Sequence, residues 1–208
     1  MNRLAGTKEH IFDIFVELTS ALGYENVSMR DIAEKVGIQA ASIYNHFETK
    51  AKILEYAYDY YAEHIYDTRK PVDVMKKLVE TAGADEIINT LSYTFETEDR
   101  KKYVRMILIT KIIYMRLFQD PIANKLYVKT NKKNAEYITA ILQYGIDIGR
   151  IDHGFDLDTF AEVLIGSKVV MGINAFADPA YVTGQVEREP RIMALFTQLL
   201  SSLIINKI

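Results

Sequence analysis

Between Val27 and Lys50 the chain runs VSMRDIAEKVGIQAASIYNHFETK, two short helical patterns split by one glycine. Ser28 is suited to N-cap a helix, and Asp31 three residues on completes a capping-box pattern. Ile32, Ala33 and Val36 recur at helical spacing until Gly37, a residue that adopts the left-handed conformation ending many helices. After a short turn the spacing predicts a second helix over 40–47, turned inward through Ile43 and Phe47. Two helices so joined form a helix-turn-helix, whose second member lies in the DNA major groove. Helix pairs of this spacing also occur in domains that bind no DNA, so residue identity has to carry weight beside it.

Helical periodicity continues to the end of the chain. It predicts a first helix over 7–22, with Ile11, Phe15, Leu18 and Leu22 on one face. A fourth helix over 49–68 holds Tyr56, Tyr58, Tyr60 and Tyr61 and starts with no linker after the motif. Further helices are expected over 71–81, 85–95, 100–118, 120–148, 156–176 and 189–206. Asp120-Pro121 supplies an N-cap followed by proline at the first helical position. The acidic stretch Glu96, Glu98, Asp99 and the loops 149–154 and 178–186 separate them. No strand-like alternation appears, so the fold class is all-α, divided into residues 1–50 and a larger helical domain, 51–208.

Several function classes drop out on composition. The chain has no cysteine, which removes disulfide frameworks, thiolate metal sites and cysteine nucleophiles, and fits the cytoplasm. No secretion signal is expected in the first thirty residues, and no run of eighteen apolar residues suggests a membrane span. The four histidines, His10, His46, His64 and His153, lack metal-ligand spacing. No phosphate loop, nucleophile elbow or paired-carboxylate motif is present, so neither an enzyme nor a bound cofactor or metal is expected. Charge argues the other way for a DNA binder. Residues 1–50 hold Arg3, Lys8, Arg30, Lys35 and Lys50 against Glu9, Asp13, Glu17, Glu25, Asp31, Glu34 and Glu48, five minus seven, or −2. A basic domain is the usual footprint, although hydroxyls, amides and helix termini also hold phosphates.

Ile11, Phe15, Leu22-Gly23-Tyr24, Ser28 to Ala33, Val36-Gly37-Ile38, Ser42 to Phe47 and Lys50 together closely resemble the DNA-binding domain of the TetR family of bacterial transcriptional regulators. The resemblance spans about residues 7–54; beyond them only length and helical character match. It implies a homodimer that binds a palindromic double-stranded operator, most often as a repressor. It also implies that a small molecule entering the C-terminal domain releases the operator.

Candidate DNA contacts follow residue by residue. Gln39 offers an amide that pairs with adenine, and Ala40 and Ala41 can approach thymine methyl groups. Ser28, Ser42 and Asn45 belong to the same surface. Tyr44 and His46 match family positions that touch phosphates or bases; Tyr44 can instead pack, and His46 can instead cap its helix. Arg30 matches a position that reaches a base edge in some members, or it pairs with Asp31 or Glu34. Lys50 stands in the first turn of a helix, where the dipole disfavours ammonium, and a phosphate would relieve that conflict.

Ligand candidates are fewer in kind. Tyr103, Ile107, Thr110, Tyr114 and Phe118 share a helical stripe beside Met106 and Met115, either core or, as the resemblance implies, a cavity wall facing Tyr61. Lys111 and Lys168 interrupt apolar stretches; each either snorkels to water or pairs with a carboxylate such as Glu162, or one of them faces the carboxylate or phosphate of a ligand. The last two helices offer Val163, Gly166, Val170, Ile173 and Ala177, and Ile192, Leu195, Phe196, Leu199, Leu203 and Ile204. These suit half of a bundle shared between two subunits, as the family implies.

Overall fold

The computed structural model describes residues 3–67, 69–91, 100–154, 156–177 and 189–205. Among them the elements are α1 (Arg3–Leu22), a 3-10 turn (Tyr24–Asn26), α2 (Met29–Val36), α3 (Ala40–Ile43), α4 (Lys50–His64), α5 (Val72–Thr81), α6 (Ala84–Leu91), α7 (Arg100–Arg116), α8 (Pro121–Asp147), α9 (Leu157–Ala177) and α10 (Glu189–Leu203). The all-α expectation holds. Two compact units arise, Met1–Asp67 with Thr97–Tyr127, and Thr68–Glu96 with Val128–Ile208. The acidic stretch at 96–99 and the loop at 178–186 lie outside the described residues.

In the first unit α1 packs against α2, α4 and α7, and α2 against α3. Ile11, Phe12, Phe15, Ile32, Ile43, Ile53, Met106 and Ile109 are fully enclosed. Burying such a side chain contributes about 1.5–3 kcal/mol. One stripe on α1 was expected, yet Phe12, Ile14 and Val16 are buried as well. The added cover is α7, so α1 is enclosed on more than one side. Leu22, expected inward, is 54% exposed. It is the last residue of α1, and Gly23 at φ 86° turns the chain away there.

The second unit packs α6 on α5 and on α10, and α10 on α9. Met75, Val79, Ile88, Leu142, Phe160, Leu164, Phe196 and Leu200 lie in its core. Gly145 of α8 is required by proximity: a Cβ there would stand 2.5 Å from Ile151 Cδ1 and 3.0 Å from Val79 Cγ1. The end of α10 is tied back to the loop after α8. Asp152 N–H donates to the Leu203 carbonyl at 2.9 Å, and Ile205 N–H to the Arg150 carbonyl at 2.8 Å.

Candidate nucleic-acid interface

The reciprocal cap on α2 forms as the sequence suggests. Ser28 N–H donates to Asp31 Oδ2 at 2.7 Å, and Asp31 N–H donates to Ser28 Oγ at 3.2 Å. The Ser28 hydroxyl, followed by its N–H, holds the Asp31 carboxyl below the usual range. Gly37 ends α2 at φ 79°, ψ 32°, the left-handed stop expected of it. Ser28 is thus an exposed residue that caps α2.

α3 is shorter than the 40–47 expected. After Ile43 the chain tightens, His46 N–H bonding the Ile43 carbonyl at 3.0 Å and Asn45 N–H the Ser42 carbonyl at 3.3 Å. Such i to i+3 bonds are common where an α-helix closes. The cause lies two residues beyond Phe47. Thr49 is extended at φ −148°, ψ 162° and caps α4, its side chain accepting from Lys52 N–H, so the helix cannot run on. Ile43 and Phe47 are buried as predicted.

The outward residues are available. Gln39, Ala40, Ala41, Tyr44 and Asn45 are exposed, as is Arg30, while Ser42 and His46 are half-buried. Among the described residues the side chains of Arg30, Gln39, Tyr44, Asn45 and His46 make no hydrogen bond or ion pair, whereas nearby Lys35 holds Glu17 at 2.6 Å. Arg30 therefore does not take the Asp31 or Glu34 partner that sequence allowed it. Unpaired donors beside small side chains are what base edges and phosphates require.

Lys50 has an additional occupation. It is half-buried, and its ammonium donates to the Tyr24 and Val27 carbonyls, both at 2.7 Å, while standing 4.0 Å from the Tyr24 ring centroid. The conflict with the α4 dipole, expected to be relieved by a phosphate, is relieved here by two carbonyls. One of the three ammonium hydrogens remains.

The negative balance of residues 1–50 is answered by α7. Arg105 pairs with Asp13 and approaches Glu9 at 3.6 Å, Lys101 reaches Asp13 at 2.8 Å, and Arg116 reaches Glu25 at 3.2 Å. Three acids of the first fifty residues are neutralised inside the unit rather than turned toward a polyanion. These α7 cations were not identified from sequence; the tell was a run of bases opening an otherwise apolar helix.

Eight of the ligand candidates belong to the first unit, and seven of them are enclosed there. Tyr61 on α4, and Tyr103, Met106, Ile107, Thr110, Lys111 and Tyr114 on α7, are buried or half-buried. Thr110 Oγ1 donates to the Met106 carbonyl at 2.8 Å. Tyr114 stacks edge-on to Tyr127, centroids 6.0 Å apart, and burial together with that neighbour pushes its pKa up to about 12. Phe118 does not join them: α7 stops at Arg116, and Phe118 stands 93% exposed in the turn beyond. Lys168 belongs to the second unit, where its ammonium donates to the Leu91 carbonyl at 2.9 Å. Among the described residues no cluster of three or more His, Asp or Glu could hold a metal, and no helix is long and apolar enough to cross a membrane.

Outward faces remain on the last two helices. Val163, Gly166, Val170, Ile173 and Ala177 are all exposed along one side of α9, and a Cβ on Gly166 would meet nothing within 4 Å. On α10 Leu195 and Leu199 point outward, whereas Phe196 turns into the core, edge-on to Phe160 with centroids 5.4 Å apart.

Comparison with known proteins agrees with this geometry. The model of the bacterial regulatory proteins, tetR family, matches residues 15–57. The negative transcriptional regulator IcaR of the biofilm operon icaADBC in Staphylococcus aureus is 30% identical over 100 residues. That match covers 48% of this chain, and the chain spans about half the length of the curated relatives it matches, 50%. The ketosteroid transcriptional regulator KstR2 of Mycobacterium tuberculosis has a similar structure, with a TM-score of 0.61, 19% identity and 96% and 95% of the two chains covered. A transcriptional regulator from Saccharomonospora viridis, solved in complex with choline, gives 0.60, 18%, 97% and 100%.

Proposed function

We propose that the chain, whose residues 15–57 match the TetR family of bacterial regulatory proteins, is a repressor of that family which binds a palindromic operator as a homodimer and lets go when a small molecule enters it. The observation that carries the reading is the exposed row Gln39, Ala40, Ala41, Tyr44 and Asn45 beside Arg30, its polar members without internal partners. Gln39 and Arg30 read base edges, the alanines meet thymine methyl groups, and Tyr44, His46 and the last Lys50 hydrogen hold phosphates. IcaR, a negative regulator, supports repression.

Dimerisation uses the outward sides of α9 and α10. Val163, Val170, Ile173, Leu195 and Leu199 are apolar and exposed together, and Gly166 admits close helix approach. The effector sits between α4 and α7, against Tyr61, Tyr103, Met106, Ile107, Thr110, Lys111 and Tyr114. Those faces favour a mostly apolar molecule with one polar or anionic group, because Lys111 and the tyrosine hydroxyls are their polar equipment. The choline complex of the similar regulator supports a small-molecule effector as such. α4 begins at the DNA face with Lys50, so a ligand that prefers one placement of α4 also selects one placement of α3. Coupling of about 1–3 kcal/mol would change operator affinity roughly 5- to 150-fold.

The test is selection of bound fragments from genomic DNA. An inverted repeat should emerge whose half-sites place two recognition helices about 34–36 Å apart, or a multiple of it. Enrichment without any inverted repeat, or no enrichment at all, would sink the reading.

A further inference from the structure

Tyr24 occupies the corner where the chain leaves α1 for α2, and its ring holds two cations from distant points of the sequence. Lys50 Nζ stands 4.0 Å from the ring centroid and Arg116 Cζ 4.3 Å. Two like charges at one neutral ring need compensation. The electron-rich ring face supplies part of it. Carboxylates supply the rest: Arg116 reaches Asp120 Oδ2 and Glu25 Oε1, each at 3.2 Å. Asp120 in turn accepts from the Tyr58 hydroxyl of α4 at 2.9 Å and caps α8 through Ile122 N–H at 2.9 Å. Burial, then the Asp120 bond, drives the Tyr58 pKa upward, so the hydroxyl keeps its proton.

We infer that Arg116 is a positioning residue for DNA binding, holding the Tyr24 corner against the end of α7 so that α2 and α3 are presented correctly. This rests on the operator-binding reading above. The physical chain is short. Arg116 is 15% exposed and ends α7, Tyr24 begins the 3-10 turn, and Lys50 pins both Tyr24 and Val27 by their carbonyls. Ser28, the cap that starts α2, follows Val27 directly. Without the guanidinium the corner keeps its bonds to Lys50 but loses its tie to α7 and Asp120. The helix pair can then shift as a body, although no side chain that meets DNA has been altered. A displacement of the α7 end has the same effect, which gives the α4–α7 region a second route to α3 besides the body of α4.

The experiment measures binding of the full chain to a duplex recovered by genomic selection, together with melting temperature and the salt dependence of affinity. Arg116→Met should weaken binding roughly tenfold with the salt slope unchanged, since no phosphate contact is removed. Arg116→Lys, which restores a cation over the ring, should recover most of the loss, and Tyr24→Phe, which keeps the ring, should bind as the unmodified protein does. Combining Arg116→Met with Tyr24→Leu should cost less than the product of the two single losses, because the two changes share the contact between guanidinium and ring. Binding of Arg116→Met within twofold of the unmodified protein, multiplying effects in the double variant, or a slope reduced by about one unit would overturn the inference. If Arg116→Met melts too early to be measured, the lysine variant decides: a loss as deep as that of Tyr24→Leu excludes the ring contact. Failure of the unmodified protein to bind any selected duplex refutes the operator reading instead, and is seen before any variant is made.

Discussion

Arg105 of α7 holds Asp13 of α1 by two donors on one oxygen, Nε at 2.8 Å and Nη2 at 2.6 Å. The Arg105 side chain is 8% exposed, and its guanidinium lies about equally near two rings, 5.1 Å from Phe12 and 5.0 Å from Tyr60. A buried charge stripped of its partner is costly. Asp13→Ala should therefore destabilise the protein by about 3 kcal/mol, the low end for a buried pair because Asp13 is partly wetted. Replacing both residues by apolar ones, as in Asp13→Leu with Arg105→Met, should cost much less. Denaturant titration reads both, and a larger loss in the double variant would contradict this account.

Gln39→Ala and Tyr44→Phe are expected to separate readout from positioning. The first should change preference at particular base pairs by about 1–3 kcal/mol each. The second should weaken all sequences alike. Competition among single-base variants of the selected duplex distinguishes them, and a sequence-selective effect of Tyr44→Phe would reverse the assignments.

Val170→Glu should leave the fold intact, since surface substitutions away from special features usually stay within about 0.5 kcal/mol. It should nonetheless convert a dimer into a monomer in sedimentation, because it places a charge in the middle of the exposed α9 face. Operator affinity should fall with it. A dimer that survives both this change and Leu199→Glu would require another interface.

Alkaline pH probes Tyr114. Its folded pKa of about 12 lies above the ordinary 10.0, so the folded state favours the neutral phenol. The associated stability is whole below about 10 and is lost as pH rises toward 12, since the unfolded chain ionises first. Tyr114→Phe should flatten that part of the stability profile, measured by urea midpoints across the range. A profile identical to that of the unmodified protein would place Tyr114 in a wetter site.

Legibility in the sequence followed the range of the interactions. The Ser28–Asp31 cap, the Gly37 stop and the burial of Ile43 and Phe47 are local, and three- or four-residue spacing is enough to find them. The early end of α3 depended on Thr49 capping the next helix, a rule equally local but applied from the far side. What escaped was long-range. Phe12 falls off the expected face because α7, which meets α1 across 92 residues of sequence at Asp13 and Arg105, covers that side. Lys50 showed a conflict with its helix dipole, and that conflict was correctly located; its resolution by the Tyr24 and Val27 carbonyls has no sequence signature. Phe118 fell on a stripe only as long as α7 was imagined two residues longer than it is.

The first unit draws on two separate stretches, Met1–Asp67 and Thr97–Tyr127. The DNA-reading part is therefore not a module that can be cut at the end of α4. A fragment stopping there would bare the sides of α1 and α4 that α7 covers, and would leave Asp13 and Glu25 without their arginines. Grafting these helices onto another regulator calls for moving α7 with them. An α1 brought in from another protein would need acids placed opposite Lys101 and Arg105 of the resident α7.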